Sequence, residues 1–143
     1  MLGLPYDEKI DMWSVGTVLA ELYTGKITFP GTSNNEMLKL HMDLKGQFPK
    51  KMLKKAMFSE QHFASDGKFL RVLLDPVSKK TIVRPTQIIH QTFKLLNIEQ
   101  LPENEQKPAL LLEDLLQKIF TLDPSKRISV EEALRHPFLT KAD

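Results

Sequence analysis

The chain has 143 residues, enough for one domain of ordinary size, and its 41% hydrophobic and 27% charged residues are typical of a globular protein rather than a disordered one. Lysine and arginine total 20 against 18 for aspartate and glutamate, and a net charge of +2 argues against direct nucleic-acid binding as the main activity. The absence of cysteine excludes disulfides and thiolate zinc sites, and the four dispersed histidines predict no metal site.

The first predicted element is a helix within "IDMWSVGTVLAELYTGKITFPG", residues 10–31. Asp7 is its predicted N-cap, and Gly25 in "TGK" is its predicted end. Apolar residues fall on nearly every side of this helix, namely Met12, Trp13, Val15, Val18, Leu19, Ala20 and Leu22. Such a helix is expected in the middle of a domain with other elements packed on every flank. Asp11, near the start of the helix, is a charged residue among these apolar ones, and its carboxylate needs a hydrogen-bonding partner or water.

The next predicted helix opens at a capping box made by Ser33 and Glu36, lasts to about Leu44 and is closed by Gly46 and Pro49. Residues 49–108 are irregular, except that "KFLRVLLD" and "KKTIV" flank "PVS" and predict a small β-hairpin. The cluster "KKMLKK" at residues 50–55 is interpreted as a solvated basic face, with a nuclear-localisation or RNA-binding patch as the alternative.

Three further helices are predicted after the hairpin. Ile89, Phe93 and Leu96 are spaced as on a short helix. Pro108 is the predicted start of an amphipathic helix that stops before "LDPSKR", with its apolar face formed by Leu112, Leu115, Leu116, Ile119 and Phe120. Ser129 and Glu132 form a second capping box, and the helix that they open is expected to end near His136 because Pro137 follows. His136 is interpreted as a packing residue and not as a catalyst.

Two of these segments resemble parts of eukaryotic protein kinases. "DMWSVGTVLAELYTGKITFPG" (residues 11–31) is similar to the central helix of the kinase large lobe, and "LDPSKRISVEEALRHPFL" (residues 122–139) resembles the end of that lobe. The long stretch between them resembles the insert of the group that holds cyclin-dependent, mitogen-activated and splicing kinases. Within that group, "GLPYDEKIDMWSVG" and "NNEMLKLHMDLKGQFPKKM" are most similar to the pre-mRNA-processing factor four family of nuclear Ser/Thr kinases.

The resemblance implies a mainly α fold, the C-terminal portion of the large lobe, with about five helices and an insert that contains the hairpin. Residues 1–48 would form the central helix and the helix that follows it. The insert would occupy residues 49–107, and residues 108–143 would form the final two helices.

The function implied is phosphoryl transfer from ATP to protein Ser/Thr residues, in pre-mRNA splicing and in the nucleus. Such transfer needs a Gly-rich loop, an H-R-D catalytic loop and a D-F-G aspartate on magnesium, and none of these motifs occurs in the sequence. We therefore expect this chain alone to be inactive and to contribute no catalytic, ATP-binding or metal-binding residue. The alternatives are a non-catalytic docking or regulatory module, or another kinase family of the same group.

The partners implied are the missing N-terminal part of the kinase domain and protein substrates or spliceosomal proteins. No membrane partner is expected, since no apolar run has the length of a membrane span and no signal pattern follows Met1.

The resemblance marks Asp11, Trp13, Gly16 and Arg127 as structural motif residues. It implies that Asp11 accepts hydrogen bonds from the catalytic loop and that Arg127 pairs with the glutamate of an A-P-E motif, neither of which this sequence contains. Taken alone, Asp11 would be a first-turn carboxylate favoured by the helix dipole, Arg127 an exposed residue, and Trp13 part of the core.

The resemblance also bears on stability. Val18 and Leu22 match family positions that support the stack of hydrophobic residues on the adenine side, whereas an ordinary core role would predict the same burial, and no ligand contact is expected of them. Each large side chain left exposed on the central helix forfeits about 1.5–3 kcal/mol, from a total of about 5–15 kcal/mol for an ordinary domain. We therefore expect the isolated chain to be marginally stable, to associate through apolar surface or to need a partner.

Overall fold

The computed structural model describes residues 1–89 and 95–140, in which helices predominate and one antiparallel hairpin is present. The elements are α1 (Lys9–Thr24), α2 (Asn34–Lys45), α3 (Lys50–Lys55), β1 (Phe69–Leu74), β2 (Thr81–Thr86), α4 (Glu103–Ile119), α5 (Val130–Leu134) and α6 (Pro137–Thr140). Single 3₁₀ turns occur at Ser59–Gln61, Ile98–Gln100 and Pro124–Lys126. The predicted class, mainly α with a small hairpin, is confirmed.

The described residues form two compact units. The first comprises Met1–Pro5 and Phe29–Gln91, and the second comprises Tyr6–Thr28 and Thr92–Asp143. The expected division into residues 1–48, 49–107 and 108–143 follows family segments rather than packing, and it stays a prediction. No helix in the described ranges has both the length and the apolar character needed to cross a membrane.

The ends of α1 agree only partly with the sequence. The N-cap is Glu8, which makes no side-chain cap hydrogen bond, so the assignment of Asp7 as N-cap was wrong by one residue. Asp7 still serves the helix start, because its Oδ1 accepts the Lys9 N–H at 3.0 Å. The predicted end is confirmed, since Gly25 adopts a left-handed conformation at φ 67° and its N–H is donated to the Glu21 carbonyl.

The buried face of α1 is narrower than its many apolar residues suggest. A strip formed by Met12, Gly16 and Ala20 is buried, and α1 packs against α4 in the second unit. Val18 is 55% exposed and Leu22 is 78% exposed, so the expectation that they are buried was wrong. The composition of a helix shows which faces tolerate burial, but it cannot show which faces a partner in this chain covers.

In the first unit, α2 begins at Ser33 as predicted, but its capping box is only half formed. The Ser33 hydroxyl accepts the Glu36 N–H at 3.2 Å. The Glu36 carboxylate turns to Thr32 and accepts from its N–H at 2.8 Å and from its hydroxyl at 2.6 Å. These bonds lower the pKa of Glu36 below its usual value. The predicted end at Gly46 is confirmed, since its N–H is donated to the Met42 carbonyl.

The hairpin is confirmed, with β1 and β2 paired antiparallel from Phe69 opposite Thr86 to Leu74 opposite Thr81. Its turn is held by Asp75, whose carboxylate accepts the N–H groups of Val77 at 2.8 Å and Ser78 at 2.9 Å. The helix α3, formed by "KKMLKK", was not predicted, because its lysines conceal the short apolar pair Met52 and Leu53 that is half-buried.

One buried amide connects α2 to the hairpin. The side-chain nitrogen of Asn35 donates to the Leu70 carbonyl at 2.9 Å and to Nδ1 of His62 at 3.1 Å. Its oxygen accepts the Val72 N–H at 2.8 Å. Burial lowers the pKa of His62, which agrees with a neutral ring whose Nδ1 accepts a hydrogen bond. Asn35 thus satisfies two backbone groups at the edge of β1.

In the second unit, α4 begins at Glu103, so the prediction of a start at Pro108 was wrong. Pro108 lies inside the helix and is exposed, and the carbonyl that its missing N–H would serve belongs to the exposed Asn104. Water can bind that carbonyl, and two acidic residues in the first turn favour the earlier start. The predicted apolar face is confirmed, since Leu112, Leu115, Leu116, Ile119 and Phe120 are all buried.

The capping box at α5 is confirmed in both directions. The Ser129 hydroxyl accepts the Glu132 N–H at 3.2 Å, and the Glu132 carboxylate accepts the Ser129 N–H at 2.8 Å. Pro137 follows α5 as expected, but it also begins the short helix α6. The predicted helix with Ile89, Phe93 and Leu96 lies largely outside the described residues.

Replacing Asn35 with Ala should lower the free energy of unfolding by about 2–4 kcal/mol, because it leaves the part-buried Leu70 carbonyl and Val72 N–H and the buried His62 ring without their hydrogen-bond partner. Urea unfolding of the 143-residue chain measures this loss. Asn34→Ala is the matched control, since Asn34 is the exposed neighbour on the same helix. Equal effects of the two substitutions would contradict the role given to Asn35.

Candidate functional site

The second unit contains a buried arginine, Arg127, which as a residue is only 9% exposed. Its Nε donates to the Thr121 carbonyl at 3.0 Å, and its Nη1 donates to the Lys9 carbonyl at 2.6 Å. Thr121 follows α4 and Lys9 begins α1. One cation therefore joins the end of one helix to the start of another, and the reading of Arg127 as an exposed residue was wrong.

Lys9 in turn donates a hydrogen bond to Arg127. Its ammonium donates to the Arg127 carbonyl at 2.7 Å, so the two residues exchange hydrogen bonds although they lie 118 positions apart in the sequence. Burial lowers the pKa of Arg127, while the carboxylates of Asp7 and Asp123 act in the opposite direction. A buried charge is tolerated only where hydrogen bonds replace its hydration, and the two carbonyls do so here.

Trp13 packs beside this cation. The Arg127 guanidinium carbon lies 5.1 Å from the Trp13 ring centroid, a cation–π distance. The same ring meets Phe120 edge-on, with ring centroids 5.0 Å apart at 69°. Trp13 is half-buried and contacts the buried Phe120, so the prediction that it belongs to the core holds in part.

Gly16 lies at a close approach between α1 and the end of α4. A β-carbon built on Gly16 would come within 2.4 Å of the Ile119 methyl carbon Cγ2 and within 3.1 Å of the Phe120 ring. Both neighbours are buried, so neither has room to move away. The position thus requires glycine for close helix packing, and this requirement has no signal in the sequence beyond the glycine itself.

Asp11 stands apart from this cluster. Its side chain is exposed and forms no hydrogen bond or ion pair with any residue of the described ranges. The structure therefore brings Trp13, Gly16 and Arg127 together around the α1 and α4 contact and leaves Asp11 facing solvent. The role of these four as family motif residues stays a prediction.

A second polar cluster, which the sequence did not reveal, surrounds the buried side chain of His136. Its Nδ1 accepts the Phe138 N–H at 3.2 Å, so in the neutral ring Nε2 carries the proton and donates to Asp114 at 2.8 Å. Asp114 also accepts from Lys118, one helical turn further along α4. This Lys118 bond, aided by His136 and opposed by partial burial, lowers the pKa of Asp114.

The cluster anchors α6 to α4, in agreement with the interpretation of His136 as a packing residue. The Asp114 and Lys118 pair could have been found from its spacing of four residues. The histidine contact spans 22 positions and leaves no local pattern. Lys9 was likewise missed, because its partner lies at the other end of the chain.

The sequence of this chain matches the protein kinase domain over residues 2–139. The chain belongs to the protein kinase family. The expected identification is thereby confirmed, and the described helices and hairpin agree with a portion of the kinase large lobe.

Three kinase relatives illustrate the match. Serine/threonine-protein kinase prpf4B of Dictyostelium discoideum is 43% identical over 97% of this chain and 18% of its own length. Serine/threonine-protein kinase prp4 of Schizosaccharomyces pombe is 40% identical over 99% of this chain and 30% of its own length. Dual specificity protein kinase lkh1 of the same yeast is 37% identical over 99% of this chain and 19% of its own length. The chain thus spans less than a third of each of these relatives.

Replacing Arg127 with Met should lower the free energy of unfolding by about 2–4 kcal/mol, because the Lys9 and Thr121 carbonyls lose a charged donor while the volume is kept. Thermal unfolding followed by circular dichroism gives the change. The exposed Arg135→Met is the control and should stay within about 0.5 kcal/mol of the parent chain. An unchanged free energy of unfolding in Arg127→Met would show that the guanidinium makes no net contribution to stability.

The lowered pKa of Asp114 predicts an acid-sensitive contribution to stability. The folded chain holds this carboxylate ionised more readily than the unfolded chain, whose aspartates titrate near about 3.9. The contribution is therefore complete above that pH and is lost as the pH falls through the lower folded pKa.

In Asp114→Asn the decline of stability below pH ~4 should be shallower than in the parent chain. Urea midpoints measured at several pH values between about 2 and 7 test this expectation. Glu105→Gln, an exposed carboxylate on the same helix, is the control. Parallel pH profiles for the parent chain and Asp114→Asn would rule the contribution out.

Proposed function

We propose that this chain is the C-terminal part of the catalytic domain of a nuclear Ser/Thr kinase that acts in pre-mRNA splicing. The observation that carries the proposal is the uncovered face of α1. Asp11, Val15, Val18 and Leu22 follow one another at helical spacing along it, and all four are exposed. A carboxylate at the head of an apolar stripe suits contact with further protein that offers backbone N–H groups beside apolar side chains.

The assignment to splicing and to the nucleus rests on the resemblance to the pre-mRNA-processing factor four family. The names of two relatives, prpf4B and prp4, and their description as serine/threonine-protein kinases agree with that family. Protein substrates or spliceosomal proteins would then be partners of the whole kinase. The remaining segments of the kinase domain would be the partner of the α1 face.

ATP and magnesium do not fit the residues that are present. Within the described ranges no three His, Cys, Asp or Glu side chains gather as metal ligands. The sequence also lacks the G-x-G-x-x-G, H-R-D and D-F-G motifs. We propose that both bind to other segments of the kinase and that this portion supplies the base on which the catalytic loop is held.

A second candidate function is a docking or regulatory module without catalysis, for which the exposed apolar face of α1 would be the binding surface. The two candidates differ in what Asp11 does. In the kinase it would orient the catalytic loop, whereas in a docking module its exposed carboxylate would have no effect on any phosphoryl transfer.

A chimera tests the proposal. The matched region of prp4 from Schizosaccharomyces pombe is replaced by this chain, and phosphorylation of a serine-containing protein is followed with MgATP. We expect an active chimera, a fall in kcat of at least about tenfold for Asp11→Asn, and little change for the exposed Glu103→Gln. The chain alone should show no MgATP binding by calorimetry.

Two outcomes would contradict the kinase proposal. One is a folded but inactive chimera. The other is full activity of the Asp11→Asn chimera, which would leave the α1 face without the role given to it. Nuclear location is tested separately by imaging a fluorescent fusion of the active chimera.

A further inference from the structure

The helix α3 concentrates positive charge that forms no ion pair within the described part of the chain. Four of its six residues are lysines, and its first turn has no acidic residue. Their spacing places two pairs of like charge one turn apart, and such pairs destabilise a helix. None of these lysines, Lys50, Lys51, Lys54 and Lys55, forms an ion pair with another described residue. The sequence therefore keeps a locally unfavourable arrangement in which no described carboxylate pairs with these lysines.

One face of α3 borders a groove of about 690 Å³ in the first unit, within the range of ligand-binding clefts. Lys50 and Lys54 line it and are exposed, while Lys51 and Lys55 do not line it. The apolar lining comes from three side chains that are half-buried or buried, Leu53, Phe63 and Leu70. The groove thus combines two free ammonium groups with an apolar interior.

The groove also contains carboxylates. Asp66 lines it, but its Oδ2 lies 2.8 Å from the Lys68 ammonium, so its charge is already paired. Glu60 lines it as well and is exposed. Negative charge on a ligand would therefore be attracted to the lysines of α3 and repelled by Glu60. The groove thus favours one orientation of an acidic ligand.

We propose that this groove binds an acidic segment of a partner protein, with carboxylates on Lys50 and Lys54 and an apolar side chain against Leu53, Phe63 and Leu70. Bound carboxylates would relieve the repulsion along α3, and the apolar lining would supply contact area that charge alone lacks. A nucleic-acid strand fits less well, because its continuous phosphates would also approach Glu60. This interaction needs no catalysis and does not rest on the proposed kinase activity.

The test uses the 143-residue chain and a short fluorescein-labelled peptide with two glutamates at one end and leucines at the other, followed by fluorescence anisotropy. The Lys50→Glu/Lys54→Glu variant should weaken binding by about tenfold or more. The Lys51→Glu/Lys55→Glu variant should weaken it by less than about threefold. Both variants change the net charge equally and keep like charges one turn apart, so the position of the charge is what differs. Circular dichroism confirms that both remain folded.

A glutamate–serine peptide of equal charge tests the apolar contact and should bind several-fold more weakly. Equal loss in the two double variants would overturn the proposal, because it would indicate a diffuse positive field. Equal binding of the two peptides, or no binding of either, would also overturn it. Preferential binding of an oligouridylate over the glutamate–leucine peptide would assign the patch to nucleic acid instead.

Discussion

The burial of a single guanidinium organises the second unit of this kinase chain. Water is withdrawn from Arg127, so its donors must find acceptors within the protein, and they find the carbonyls of Lys9 and Thr121. This fixes the start of α1 against the end of α4, and it places Trp13 over the cation. Once the two helix ends are fixed, the middle of α1 must approach α4 closely, and only glycine fits at position 16.

In the first unit, two elements are likewise joined by the hydrogen bonds of one polar side chain, but this side chain is uncharged. The neutral amide of Asn35 connects α2 to the edge of β1 by serving a carbonyl and an N–H of the same strand. An amide offers both a donor and an acceptor, so it can continue the hydrogen bonding of a strand edge, which a guanidinium cannot. Where two helix ends leave only carbonyls unpaired, a donor-only arginine is found. Where a strand edge leaves both a carbonyl and an N–H unpaired, an asparagine is found.

Features that depend on neighbours in sequence were largely predictable. The glycine ends of α1 and α2, the box at Ser129 and Glu132, and the hairpin all follow from residues a few positions apart. The failures have tertiary causes. Pro108 is tolerated inside α4 because the carbonyl it leaves unpaired faces water, and the exposure of Val18 depends on what covers α1. The exchange between Lys9 and Arg127 spans 118 positions, so no sequence window contains it.

That same separation has a consequence for synthesis. At about 5–20 residues per second, Arg127 leaves the ribosome on the order of ten seconds after Lys9. For most of that interval α1 has neither its cation nor the α4 surface against which it packs. Most of the first unit, in contrast, lies in one continuous stretch and can form while the chain is still growing. The nascent chain thus exposes its most apolar helix for longest, and that helix is where we expect chaperones to bind.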